Sequence, residues 1–249
     1  MFEKTMIFKA PKEYIDYTDD RPTPIVLNIP KWFKSLKNTM DAKTVKGCMP
    51  FLDTLTFGYC LSLPQDIWLE HNVIKEDDKE LKPDTGAGYP LVDSSMKLGI
   101  NLNFTGQKDW HGANQMEGSP LVEKNKNQPF HKVINPWTII TPPGYSCLFV
   151  SPLNNSDDRF TIMPGIVDTD VYPQEVNFPY VINGDKYESL KTILKKGTPY
   201  VQVIPFKRDA WKMKIEKFSG RESYFQKLFY RLKYLATYQD KFWSKKRCK

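Results

Sequence analysis

The chain has 249 residues and a mass of 29.0 kDa, with 40% hydrophobic and 26% charged residues. That suffices for one or two folded domains and is too apolar for disorder throughout. Its formal net charge of +7 is unevenly spread: residues 207–249 hold 14 Lys/Arg and 4 Asp/Glu, whereas residues 1–206 hold 22 and 25. A basic tail therefore follows a slightly acidic body, which argues against the whole chain as a nucleic-acid binder.

No apolar run reaches the roughly 18 residues of a membrane span. The opening segment MFEKTMIFKA carries Glu3 and Lys4 and no long apolar stretch, which predicts no secretory signal peptide. Cys48, Cys60, Cys147 and Cys248 have no CxxC spacing, so reduced thiols in a cytoplasmic protein are expected rather than a zinc site. His71, His111 and His131 lack a carboxylate two residues on, so half of a non-haem iron triad is missing. The phosphate-binding P-loop and the Gly-x-Ser-x-Gly elbow are absent too.

In chain order, residues 19–24 are a Pro-rich loop and residues 25–29 an edge strand. Trp32, Phe33 and Leu36 mark a single helical turn that buries its aromatics. Residues 54–63, rich in Thr, Phe, Tyr and Leu, predict a strand continued by 67–69. Residues 75–88 read as a charged, then Gly-rich loop, and residues 101–132 as irregular structure within an insertion over about 70–132. Strands are predicted over 137–141, 145–150, 160–162, 166–167, 176–182 and 199–206, with 189–194 a short strand or a helical turn. Pro142-Pro143-Gly144, Pro164-Gly165, Asn183-Gly184 and Lys196-Gly197 are the turns between them. Such spacing predicts a mainly β sandwich or barrel over 1–217, followed by a basic unit over 218–249. In that unit apolar residues recur every three or four positions over 221–243, predicting an amphipathic helix of about six turns that starts at Ser219-Gly220. Its apolar face has three readings: packing on its own body, joining a protein partner or another protomer, or meeting a membrane surface or nucleic acid.

The segment 141–206 resembles the trimeric dUTPase and dCTP deaminase superfamily. Thr141-Pro142-Pro143-Gly144-Tyr145 is similar to the turn opening its second motif, and Pro152 follows at the family's distance. Residues Gly165-Ile166-Val167-Asp168-Thr169-Asp170 are similar to its Gly-Val-Ile-Asp-x-Asp motif. Gln202, within Tyr200-Val201-Gln202-Val203, matches its Gln-Leu motif. Gly58-Tyr59-Cys60-Leu61 resembles the first motif, with Gly88-Tyr89-Pro90-Leu91 as a rival. A dUTPase-like β-clip is the fold implied, with a jelly-roll-like double sheet as the alternative. The resemblance implies Asp168 as the base that activates water and Asp170 as its partner. It also implies Gly144, Asn154, Asn155, Tyr172 and Gln202 as ligand contacts.

The chain departs from that family where phosphate is held. Leu153-Asn154-Asn155 replaces an Arg-Ser segment, and Asn carries no guanidinium charge. Cys60 (or Pro90) replaces a metal-associated Asp, Val171 or Tyr172 stands at the motif-three Tyr, and no Gly-rich arm follows. Over its length the chain also resembles bacteriophage proteins of no assigned activity, through Pro30-x-Trp32-Phe33-Lys34-x-Leu36 and Thr44-Val45-Lys46-x-Cys48-x-Pro50-Phe51.

The first expectation is thus a phage-type, catalytically inactive binding or structural module without cofactor or metal. It would reside in the host cytoplasm or virion and take a nucleotide, or a protein partner through 221–249. The alternative is a divergent nucleotide pyrophosphatase, with Asp168 as general base and Mg²⁺. The resemblance implies a homotrimer. Beside these stand plainer expectations: Asp168 and Asp170 as turn carboxylates bonding nearby amides, Gln202 on a sheet face, Asn154-Asn155 in a turn, Cys60 and Cys147 in the core, and His111 and His131 exposed or hydrogen-bonded.

Overall fold

The computed structural model of the protein describes residues 4–17, 20–39, 43–64, 66–72, 75–76, 79–80, 84–88, 111–124, 129–187, 189–231 and 237–249. The strands are β1 (Ile7–Lys9), β2 (Thr23–Pro24), β3 (Tyr59–Ser62), β4 (Ile67–Asn72), β5 (Lys75–Glu76), β6 (Lys79–Glu80), β7 (Asp84–Gly88), β8 (His131–Val133), β9 (Thr138–Ile140), β10 (Tyr145–Val150), β11 (Phe160–Ile162), β12 (Gly165–Val167), β13 (Phe178–Ile182), β14 (Ser189–Leu194) and β15 (Pro199–Lys207). The helices are α1 (Lys12–Tyr17), α2 (Lys31–Ser35), α3 (Met49–Thr56), α4 (Pro120–Lys124), α5 (Gly220–Arg231) and α6 (Thr237–Lys241).

The protein is mainly β and sandwich-like. A five-stranded sheet runs β12-β10-β15-β3-β2, and three-stranded sheets run β11-β13-β8 and β14-β4-β7. Every pairing is antiparallel among the described residues. β15 lies at the centre of the large sheet, and Tyr200, Val201, Gln202 and Val203 are all buried, so it lacks the alternation of a half-exposed strand. The core joins the sheets: the Phe178 ring of β13 lies 5.3 Å from Phe149 of β10 and 5.7 Å from Tyr200 of β15. Leu61, Leu69, Val133, Ile139 and Leu194 complete the same cluster, each contributing about 1.5–3 kcal/mol by leaving water.

Four expectations need correction. Residues 54–63 are not one strand: α3 runs to Thr56 and β3 begins at Tyr59. Pro50 fits the first turn of a helix, and the Thr54 and Thr56 hydroxyls donate to the Phe51 and Leu52 carbonyls, which accommodates β-branched residues there. Gly58, at φ +102°, ends this helix unit, and a Cβ on it would lie 2.4 Å from the Val203 carbonyl oxygen. Residues 25–28 form a 3-10 turn after the two-residue β2 rather than an edge strand. Within 75–88, the segment Asp84–Gly88 pairs with β4 across five residues, because the side-chain-poor Thr-Gly-Ala-Gly run can hydrogen-bond along an existing strand. The stretch 67–69 belongs to β4 in a separate sheet, and 189–194 is its strand partner. Residues 89–110, which hold the rival Gly-Tyr-Pro-Leu motif beyond Gly88, lie outside the described residues.

The tail is helical in two described pieces, with 232–236 outside the described residues. α5 starts where predicted, in a reciprocal cap: the Glu222 N–H donates to Ser219 Oγ at 3.2 Å and the Ser219 N–H to the Glu222 carboxylate at 2.8 Å. That contact holds the Glu222 carboxyl below its usual range. Packing on the body, one of the three readings of the apolar face, is not made over 220–228, since Tyr224, Phe225 and Leu228 are 63%, 47% and 39% exposed. The chain then returns: Trp243 Nε1 and Lys246 Nζ donate to the Asp53 carboxylate at 3.1 and 2.6 Å, and the Gly58 N–H donates to Cys248 Sγ. Among the described residues no helix is long and apolar enough to cross a membrane.

Candidate functional site

β10 begins after a turn in which the Tyr145 N–H donates to the Pro142 carbonyl, with Gly144 at φ +81°. β12, paired with β10, ends at Val167 and hands over to Asp168-Thr169-Asp170, where the Val171 and Tyr172 N–H groups close on the Asp168 carbonyl. β15, the other neighbour of β10, ends at Lys207, so Arg208 emerges beside the same turn. Its guanidinium donates to both oxygens of Asp170, at 2.7 Å to Oδ1 and more tightly to Oδ2. It also reaches Asp168 Oδ1 at 3.1 Å, Ser146 Oγ at 3.1 Å and the Tyr145 carbonyl at 3.3 Å. The Gly144 N–H donates to Asp170 Oδ2 at 2.8 Å, and Ser146 Oγ donates to Asp168 Oδ1 at 2.6 Å. Beneath this clasp the Thr141 and Thr169 hydroxyls meet at 2.7 Å and Thr169 bonds Cys147 Sγ.

The two carboxylates are unequal. The Asp170 side chain is 5% exposed, and the Arg208 fork, helped by the Gly144 N–H, holds its carboxyl down to about 2. The Asp168 side chain is 56% exposed. A divalent cation such as Mg²⁺ needs several oxygens at about 2.0–2.1 Å. Here both Asp170 oxygens, and Oδ1 of Asp168, already accept from Arg208, Gly144 or Ser146. The residues present do not fit that ion. Among the described residues no group of three or more His, Cys, Asp or Glu is placed to hold a metal.

The other expected contacts lie at the opposite end of β10. Gln202 pairs with Val150 and is fully buried. Its Oε1 accepts from the Leu153 N–H at 2.9 Å, while Nε2 donates to the Thr54 and Phe57 carbonyls at 3.0 and 2.8 Å. Both amide hydrogens are spent on the end of α3, so the side chain ties helix, strand and loop together. Asn154 adopts φ +56° in a turn and its Nδ2 donates to Thr54 Oγ1. Asn154 and Asn155 border an open hollow of about 680 Å³, shared with Trp32, Ser156 and Arg159. The charges there are paired: Arg159 forks onto Asp157, and Asp158 takes Lys186 and the Tyr187 hydroxyl. Gly144, Asp168, Asp170 and Tyr172 are thus gathered at one end, and Asn154, Asn155 and Gln202 at the other, about 17–20 Å away along six residues of strand.

No family model matches the chain, and no curated protein matches it either. The remaining candidates for chemistry are quiet. Burial pushes the Cys60 and Cys147 thiols up to about 11, away from the thiolate form a nucleophile needs. All four cysteines are free. His111 Nδ1 meets Gln115 Oε1 at 2.9 Å, and His131 is buried against the Tyr180 ring. The residue that sequence reasoning missed is Arg208. Its signal, a Lys-Arg-Asp run closing a strand, acquires meaning only with the register that puts Lys207 opposite Tyr145.

Proposed function

We propose that the chain is a phage-type, dUTPase-like protein without catalysis, working as a binding or structural module. The observation that carries this is the Arg208 fork on Asp170, with its reach to Asp168. A general base must be able to take a proton from water, and a metal-bearing pair must offer its oxygens. Here the guanidinium occupies both oxygens of Asp170 and reaches Oδ1 of Asp168, so that the Asp-x-Asp motif serves as a closure of the sheet end. The buried, fully used amide of Gln202 supports the same reading. The open hollow beside Trp32 and Asn154 is the place for a ligand, whose planar group would lie on the 45%-exposed Trp32 ring.

One feature favours the pyrophosphatase alternative, the exposure of Asp168. The test is pyrophosphate release from a panel of nucleoside triphosphates with Mg²⁺. The expected result is none above background, with the same outcome for Asp168→Asn. Release that Asp168→Asn abolishes would establish the enzyme. A nucleotide or other small ligand that raises Tm in the parent but not in Trp32→Ala would support binding at the hollow.

A further inference from the structure

The loop between β10 and β11 carries six polar residues in a row, Asn154-Asn155-Ser156-Asp157-Asp158-Arg159, and all six line the open hollow beside Trp32. Its volume of about 680 Å³ lies within the usual ~300–1,000 Å³ of small-molecule sites. The Trp32 indole is braced by two rings at steep angles, Phe33 of α2 at 5.7 Å and 88° and Phe51 of α3 at 6.1 Å and 76°. Those two rings stack on each other at 5.9 Å and 13°. Trp32 is nonetheless 45% exposed, so the two helices hold a fixed aromatic surface beside the hollow. The loop is fixed as well. Asn154 takes φ +56° with its Nδ2 donating to Thr54 Oγ1 at 2.8 Å, and Asn155 Nδ2 reaches the Asn28 carbonyl at 3.5 Å. That leaves Asn154 Oδ1, Asn155 Oδ1 and Ser156 Oγ without a hydrogen-bond partner among the described residues. The three charged residues of the lining, by contrast, are already paired. Arg159 sets Nε and Nη2 on the two Asp157 oxygens at 2.9 and 2.7 Å, and Nη1 on Thr192 Oγ1 and the Ile193 carbonyl. Asp158 takes Lys186 and the Tyr187 hydroxyl.

We propose that the hollow binds a neutral saccharide, with one sugar ring lying on Trp32 and its hydroxyls meeting the free polar groups of Asn154, Asn155 and Ser156. This rests on the reading of the chain as a binding module and names its ligand class. The flat surface that lies on Trp32 is then the C–H face of a pyranose. Those C–H bonds are weakly positive, and the face of an indole is weakly negative, so the two attract as well as excluding water. The rim of a sugar is a ring of hydroxyls, each a donor and an acceptor at once. Asn amides and a Ser hydroxyl have the same double capacity. A nucleotide suits the hollow less well. Its phosphates call for charged donors, and the guanidinium of Arg159 is committed to Asp157, so a phosphate would have to displace a carboxylate. Asp157 and Asp158 would also repel it. A cationic ligand meets the converse difficulty, since both carboxylates already hold a cation. What the lining offers without breaking any of its own bonds is one apolar face and uncharged donors and acceptors, and a neutral sugar asks for both.

The test is a glycan array probed with the full chain, followed by saturation-transfer NMR with the oligosaccharides it retains. The array carries neutral chains of glucose, galactose, mannose and N-acetylglucosamine units beside sialylated and sulfated ones, and dUTP and ATP are run as separate ligands. At least one neutral glycan should bind, with saturation concentrated on the C–H protons of one sugar unit. Because neither ligand nor hollow carries an unpaired charge, affinity should be unchanged between about 50 and 500 mM salt. Trp32→Ala should weaken binding about tenfold or more, whereas Trp32→Tyr, which keeps an aromatic face, should stay within about threefold at parent Tm. No glycan retained, retention of the acidic glycans alone, or neutral-glycan binding indifferent to Trp32→Ala would each overturn the inference. A nucleotide bound through Trp32 with no glycan bound would overturn the ligand class and leave the module reading standing. The module reading falls separately, on pyrophosphate release that requires Asp168.

Discussion

The two ends of the β10–β15 pair are closed by different chemistry. At the Tyr145 end the closure is ionic and half open to water, with Arg208 spread over Asp170, Asp168, Ser146 and a carbonyl. At the Val150 end it is neutral and dry, a single amide satisfying two carbonyls and one N–H. A neutral buried knot has little alternative to its native partners, since each orphaned group carries its full desolvation penalty. An exposed ionic clasp can exchange its partners for water and responds to pH. Each end also holds a buried thiol: Cys147 lies under the clasp, and Cys60 is the cross-strand neighbour of Gln202.

The largest effect should come from the dry end. Gln202→Leu keeps the volume but strands the Leu153 N–H and the Thr54 and Phe57 carbonyls, and should cost roughly 3 kcal/mol or more in urea denaturation. In the same variant Cys60 should begin to react with a thiol reagent while Cys147 stays slow. The glycines should follow the same order. Gly58→Ala drives a Cβ to 2.4 Å from the Val203 carbonyl as well as straining φ, and should cost about 2–4 kcal/mol. Gly144→Ala meets nothing within 4 Å, so only its φ of +81° counts, at about 1 kcal/mol.

The ionic end should show itself mainly in acid. The Asp170 carboxyl titrates at about 2 in the folded protein against an ordinary 3.8, so between those values the unfolded chain binds more protons. The stability this provides is complete above about pH 4 and is lost as pH falls toward about 2. Asp170→Asn should therefore flatten the acid limb of Tm against pH and leave its shape near neutrality unchanged. Asp66, held low by the Lys196 N–H, and Asp158, held low by Lys186, supply the slope that remains. An equally steep acid limb in the variant would remove Asp170 from the account. The smallest signal is the baseline itself: at neutral pH the parent should be alkylated first at exposed Cys48, with Cys60 and Cys147 far slower, as read by peptide mass.

The later strands were legible in the sequence because Pro-Gly, Asn-Gly and Lys-Gly turns bracket β-branched runs, and 145–150, 160–162 and 199–206 fall within a residue or so of β10, β11 and β15. The first half was less legible. Thr-rich 54–56 has strand propensity, yet threonine hydroxyls bonded to the preceding turn keep it helical. Asp84–Gly88 has no strand propensity, and β4 recruits it. Among the candidate site residues, the plainer expectations describe the geometry well for Asn154, Cys60 and Cys147. Gln202 and the Asp168–Asp170 turn depend on partners more than 20 residues away, Thr54, Phe57, Ser146 and Arg208, that no local pattern reveals.

The return of the tail to α3 joins residues 190 positions apart, Trp243 to Asp53 and Cys248 to Gly58. That contact is intramolecular only while the chain between Arg208 and Trp243 is intact. A single peptide-bond cut within residues 209–218, which form neither helix nor strand, would leave every described contact of the body in place and turn the tail into a separate ligand of its own protein. Its hold would then depend on concentration, and dilution alone should release a fragment carrying Trp243 and uncover Asp53.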